Sequence, residues 1–136
     1  MTTTPGRRWS FSLRTLFVLV TVAGLGSYWI VREAGFRRAG HAYEQSLVDY
    51  HAEVITAADL YNASLHLYEA ETSVPFANRE KAAIAHLGRV AKLKKLVDLV
   101  YGQGYPAHGH EDELSKAVAE VAGFYAEAEK LASESQ

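Results

Sequence analysis

The sequence predicts an all-α protein, in which an N-terminal transmembrane helix is followed by a three-helix antiparallel hairpin or bundle with coiled-coil-like packing. Three observations predict it: an uncharged apolar stretch near the N-terminus, apolar residues at helical spacing through the rest of the chain, and two groups of helix-breaking residues. No segment shows the alternating pattern of a β-strand. We divide the 136 residues into a short basic tail (1–14), a transmembrane helix (15–32) and a helical domain (36–133).

The apolar stretch has the composition of a membrane anchor. From Leu16 to Val31 it holds sixteen residues without a charge, which span about 24 Å as a helix, against a hydrocarbon core of roughly 30 Å. Arg14 and Arg32 flank it, and their long stems can reach the headgroups and extend the usable length. Anchor residues are expected at Leu16, Phe17, Val18, Leu19, Val20, Val22, Tyr28, Trp29, Ile30 and Val31, with the aromatic residues in an interfacial belt.

A cleaved signal peptide is the alternative to a retained anchor. Its start would also be basic, and Gly24 and Gly26 form a weak cleavage signal before Ser27. However, the chain stays apolar from Tyr28 to Val31, whereas signal peptides usually turn polar after the cleavage site. An uncleaved anchor is therefore favoured, and export after cleavage is the second possibility.

Charge is distributed unevenly along the chain. The first fifteen residues contain three arginines (Arg7, Arg8 and Arg14) and no acid, which leaves 11 of the 14 Lys and Arg residues for the rest of the chain, against all 16 Asp and Glu. Because basic flanks favour the cytoplasmic side, we expect a single-pass inner-membrane protein with a cytoplasmic N-terminus and a periplasmic domain. An acidic domain gives no electrostatic footprint for nucleic acid.

The domain is expected to contain helices over about 36–72, 76–101 and 111–132. Apolar and tyrosine residues of the first helix step by four and three residues over nearly four heptads. Pro75 ends that helix, Asn78 is a good cap for the next one, and the segment from Gly102 to Pro106 ends the second. An interaction seam is predicted at Tyr43, Leu47, Tyr50, Val54, Tyr61 and Tyr68 of the first helix and Leu87 of the second.

The candidates for metal binding are weak. His108, His110, Glu111 and Asp112 place two imidazoles and two carboxylates within five residues, but closed zinc sites usually take four ligands from two separated places. A solvated loop followed by an acidic helix start explains the same residues. His66 and Glu69, with His86 facing them from the next helix, are a second candidate, although the Glu-x-x-His pairs of di-metal bundles do not occur here.

The sequence indicates no catalytic function and no cofactor. The chain has no cysteine, which excludes disulfides, thiolate metal sites and a cysteine nucleophile. There is also no Gly-rich phosphate loop after a strand and no Ser, His and Asp set in a recognisable turn. We therefore expect a structural or interaction role, with the membrane and either a protein partner or a second copy as partners. An envelope sensor that binds a small molecule or metal is the alternative.

Two stretches resemble known proteins. The segment from Arg7 to Gly26, above all Ser12-Leu13-Arg14-Thr15-Leu16, resembles an anchor that recurs at the start of many planctomycete proteins of unknown function. The helical part is similar to a planctomycete group related to the coiled-coil hairpins of TolC-type outer-membrane efflux proteins. The matching residues are Ala85 to Arg89, Leu93, Val97, Tyr101, Gly104 and the run from Phe124 to Ala132. The resemblance implies a helical hairpin of that type and not an efflux channel, because the chain is too short for a duct.

Overall fold

A computed structural model describes residues 12–53, 55–102 and 111–136, and in these ranges it contains four α-helices and no strand. The helices are α1 (Leu13–His51), α2 (Ala57–Ser73), α3 (Arg79–Gly102) and α4 (Glu111–Glu134). The predicted class, a long apolar N-terminal helix followed by packed helices, is confirmed.

Helix α1 is continuous from the apolar stretch into the polar part of the chain. Ser12 caps it by accepting a hydrogen bond from the backbone N–H of Thr15 at 3.2 Å. Its 39 residues correspond to about 58 Å of helix. Among the described residues, α1 is the one helix that is long and apolar enough to cross a membrane. None of the residues in its apolar segment is buried inside the protein. A membrane span and a signal sequence both have these properties.

The prediction of a single helix over 36–72 is wrong, because the chain breaks between His51 and Ala57 into α1 and α2. Glu53 has a left-handed backbone (φ 59°), which ends α1. Thr56 and Asp59 then form a capping box at the start of α2: the Thr56 hydroxyl accepts from the Asp59 N–H at 3.2 Å, and the Asp59 carboxylate accepts from the Thr56 N–H at 2.9 Å.

The connection between α2 and α3 is a tight turn at Val74–Ala77. The N–H of Ala77 donates to the carbonyl of Val74 at 3.0 Å, Pro75 occupies the second position and Phe76, with φ 62°, the third. This is the pattern of a type II turn, in which the third position favours glycine or asparagine. Asn78 caps α3 through its side-chain oxygen, which accepts from the N–H of Lys81 at 2.9 Å.

Helices α2, α3 and α4 pack against one another as a three-helix bundle, and α1 packs along α2. The five-residue connection reverses the chain, so that α2 runs antiparallel to the polar half of α1, and Phe76 in the turn after α2 lies beside Trp29. The core consists of residues from all three bundle helices: Leu60, Tyr61, Val90, Leu93, Val97, Val121 and Ala128. Tyr43, Leu47 and Tyr50 of α1 cover its edge.

Candidate functional site

The best candidate site among the described residues is a polar cluster between α2 and α3, formed by Ser64, Glu71, His86 and Arg89. Positions 83, 86, 90, 93 and 97 of α3 step by three and four residues and all are buried. His86 therefore occupies a core position between apolar residues, and Ser64 does the same on α2. A buried polar residue on each of two adjacent helices needs a partner across the interface, because an unpaired polar group in a core is destabilising.

Ser64 links the two helices through its hydroxyl. Its Oγ lies 2.9 Å from Nδ1 of His86 in a buried hydrogen bond, and it accepts a second hydrogen bond, also of 2.9 Å, from Nε of Arg89. A single hydroxyl on α2 thus binds two side chains from successive turns of α3. This arrangement fixes the register of α2 against α3, because sliding either helix by one turn would break both bonds.

Arg89 extends the cluster to Glu71 and to α1. Its two terminal nitrogens each donate to one carboxylate oxygen of Glu71, both at 3.1 Å. The side chains are 13 % and 19 % exposed, so this bidentate pair is largely shielded from water. On its other side the guanidinium lies 5.6 Å from the ring centroid of Tyr43, within the range of a cation–π contact. Arg89 therefore contacts α1 and α2 while belonging to α3.

The ring of His86 is enclosed by aromatic side chains. Tyr68 stacks on it at 5.5 Å between ring centroids, and Tyr61 lies at 5.7 Å. The side chain is fully buried, and this burial, together with the positive charge of Arg89, lowers the pKa of His86 below its usual value; Ser64, Glu71 and Glu127 oppose the shift. The imidazole is accordingly neutral near pH 7.

Two buried polar atoms of the site make no hydrogen bond to a described residue: Nε2 of His86 and the hydroxyl of Tyr61. Burial and the nearby carboxylate of Glu127 raise the pKa of Tyr61 to about 12, so the phenol stays protonated. The Tyr61 ring is fixed on its other side by a parallel stack with Phe124 of α4, at 4.2 Å between centroids. The cluster is thus connected to all four helices.

Ser64 and His86 form a Ser–His pair, but their surroundings differ from those of a nucleophilic pair. In catalytic sites the histidine is oriented by a third group on its other nitrogen, and the hydroxyl faces a substrate. Here no described residue bonds that nitrogen, and both side chains are buried. The arrangement suits a structural role, in which polar partners specify how the helices pair.

The first predicted metal site lies mostly outside the described residues, whereas the residues of the second are all described. His108 and His110 lie outside the described residues, as does the side chain of Glu111, while Asp112 is exposed. His66 is exposed and lies 3.3 Å from Glu69, whereas His86 points into the core towards Ser64. The expectation that His86 faces His66 and Glu69 is wrong, because the core stripe of α3 includes position 86. The described residues contain no group of three or more potential metal ligands.

The predicted seam residues pack inside the chain. Tyr61 is buried, while Tyr43, Leu47, Tyr50 and Leu87 lie partly buried against the core and Tyr68 covers His86. Val54 lies outside the described residues. Sequence reasoning missed the roles of Ser64, Glu71 and Arg89, although the polar residues at two core positions were a usable signal. The predicted anchor residues are all exposed on α1.

No protein-family model, curated protein or solved structure matches this chain. The resemblance to planctomycete anchors and to TolC-type hairpins therefore stays a prediction.

Proposed function

We propose that this protein is a single-pass envelope protein whose helical bundle has a structural or protein-binding role next to the membrane. One observation carries the proposal: α1 continues without a break from the apolar stretch to His51, and α2 packs along its polar half. A flexible tether would only confine the bundle near the membrane. A continuous helix packed into the bundle also sets its height and orientation, which is useful for holding a partner at a defined position.

The orientation proposed is a cytoplasmic N-terminus and a periplasmic bundle in the inner membrane, supported by the basic residues that precede the anchor. Because the chain has no cysteine, single cysteines can report the side of the membrane directly. Asn62→Cys, at an exposed position of α2, should react with a membrane-impermeant maleimide added outside intact spheroplasts, whereas Thr3→Cys should react only after lysis. The reverse pattern would contradict this orientation. Release of the chain by carbonate would contradict the anchor.

Large apolar side chains exposed outside the anchor are the positions at which a partner is expected. Val48, Ile84 and Leu99 are 60 %, 52 % and 58 % exposed. A photocrosslinking amino acid at each of them, in native membranes, should give adducts of defined mass, either with another protein or at twice the chain mass. Asn62 is the matched exposed polar control. If none of the three forms an adduct and light scattering shows a monomer, the interaction role is wrong.

An envelope sensor is the second candidate function. The observation that favours it is a pair of buried polar atoms, Nε2 of His86 and the hydroxyl of Tyr61, that make no hydrogen bond to a described residue. A small polar molecule that hydrogen-bonded to either atom would stabilise the fold. Thermal unfolding of the chain against a panel of metals and metabolites would show a shift that His86→Gln abolishes. No shift with any member of the panel would exclude this role for the compounds tested.

A further inference from the structure

We infer that the turn between α2 and α3 is a second membrane contact, with the side chain of Phe76 inserted into the interfacial layer of the bilayer that α1 crosses. This inference rests on the proposed function, because it requires α1 to be a membrane anchor. The contact would turn a protein held by one helix into one that touches the bilayer at two points.

Phe76 is unusual in two respects, the exposure of its side chain and its backbone conformation. Its side chain is 95 % exposed, and its φ of 62° lies in the left-handed region, which is strained for a residue with a bulky side chain. Asparagine or glycine would fit the same turn at lower cost. A large apolar residue kept both strained and exposed is the kind of exception that occurs where a side chain has a binding role.

The residues of α1 that lie near Phe76 indicate which surface the Phe76 side chain contacts. Its ring centroid lies 6.3 Å from that of Trp29, near the polar end of the apolar stretch. The indole N–H of Trp29 donates to Glu33, one turn further along α1 at 3.2 Å, and Glu33 also accepts from Arg37. The boundary between apolar and charged residues therefore falls between Trp29 and Glu33. Phe76 lies at this boundary, at the depth where aromatic side chains prefer the membrane interface.

The charges around the turn fit a lipid surface. Arg32 is the first charged residue after the apolar stretch, and its guanidinium lies 5.0 Å from the ring centroid of Tyr28. Arg79 and Lys81 follow the turn directly and are exposed, with Glu80 between them. An apolar tip next to cations is the combination that binds the boundary between acyl chains and anionic headgroups.

Depth-dependent fluorescence quenching tests the inference on the full chain in liposomes that contain anionic lipid. The chain has two tryptophans, so Trp9→Phe leaves Trp29 as a single reporter of anchor insertion. The test chain carries Trp9→Phe, Trp29→Phe and Phe76→Trp. The control carries Leu99→Trp in the same background, an exposed position about 30 Å from the start of α3. Lipids brominated near the headgroup end of the acyl chains serve as quenchers.

We expect the Phe76→Trp chain to be quenched about as strongly as the Trp29 chain and several-fold more strongly than the Leu99→Trp chain. Quenching of Trp29 without quenching at position 76 would overturn the second contact and leave the anchor intact. If Trp29 itself were not quenched, the anchor and the contact would both be wrong. Equal quenching at positions 76 and 99 would also overturn the inference, because the bilayer would then meet α3 along its length and not specifically the turn at Phe76. Circular dichroism of each chain confirms that the helices are retained.

Discussion

The guanidinium of Arg89 on α3 and the carboxylate of Glu71 on α2 form two parallel hydrogen bonds of 3.1 Å in a largely shielded position. Because Arg89 also donates to Ser64 and covers Tyr43, this pair joins three helices at one point. A shielded ion pair adds little net stability over apolar packing, but removal of one partner leaves the other charge uncompensated. The pair is therefore expected to specify helix pairing more than to stabilise the fold.

Arg89→Ala should lower the free energy of unfolding by about 2–4 kcal/mol, because it leaves the Glu71 carboxylate without its cationic partner and removes a hydrogen-bond donor to Ser64. The double change with Glu71→Gln should recover part of this loss. Lys94 and Asp98, an ion pair of 2.6 Å that is about half exposed, are the control; screening by water should keep the effect of Lys94→Ala below about 0.5 kcal/mol. Urea denaturation in mild detergent measures both. Equal effects would show that the Arg89 pair is solvated.

Stability should depend on pH through His86. Its pKa is lowered in the folded chain, so between that value and about 6.5 the unfolded chain binds more protons. The free energy of unfolding should therefore fall as the pH decreases below about 6.5, by at most about 1.4 kcal/mol per pH unit. The slope should be smaller in His86→Gln, which removes the buried imidazole. An unchanged slope in His86→Gln would mean that this histidine is accessible to protons.

The break between α1 and α2 is testable at Glu53. Because Glu53 has a φ of 59°, Glu53→Gly should relieve strain and leave the free energy of unfolding unchanged or raised by up to about 1 kcal/mol. Glu120→Gly, at an exposed position within α4, should instead lower it by about 1 kcal/mol. If both changes destabilise equally, α1 continues through position 53 and the predicted single helix would be right after all.

The core face of α3 can be tested with one pair of substitutions. Val90 is 1 % exposed, so Val90→Asp buries a carboxylate without a partner and should lower the free energy of unfolding by about 3 kcal/mol or more. Ala85→Asp, on the exposed face of the same helix, should change it by less than about 1 kcal/mol. Similar losses would show that the faces of α3 are assigned incorrectly. Leu87, the seam residue predicted on this helix, is only partly buried, and Leu87→Asp should fall between the two.

The helical class was predictable because its signals are local. Pro75 and Asn78 determine the end of one helix and the start of the next through their own backbone chemistry. The break at 52–56 was missed for a physical reason: the spacing of Tyr43, Leu47 and Tyr50 continues in register through Ala57, Tyr61 and Ser64, although the chain reverses between them. The capping box of Thr56 and Asp59 was the signal for that break.

The polar cluster was not predictable in detail, because it depends on which residues of α2 meet α3. Periodicity places Ser64 and His86 on the inner faces of their helices, but the contact of Arg89 with Glu71 spans eighteen residues and follows from the register of the packed helices. The position of Phe76 beside Trp29 likewise depends on the reversal of the chain after His51.

Because α1 is one unbroken helix from the anchor to the bundle, the distance between two positions along it should be fixed by helix geometry. Spin labels at Val31→Cys and His51→Cys, in the full chain in nanodiscs, are separated by twenty residues, or about 30 Å of helix. Labels at Ser115→Cys and Ser133→Cys on α4 give the reference width for a regular helix, at about 27 Å. We predict that double electron–electron resonance yields a single distance distribution centred near 30 Å and as narrow as the reference distribution on α4. A broad distribution, or one centred at a distinctly shorter distance, would contradict an unbroken α1, because the anchor and the bundle would then be joined by a flexible or bent segment.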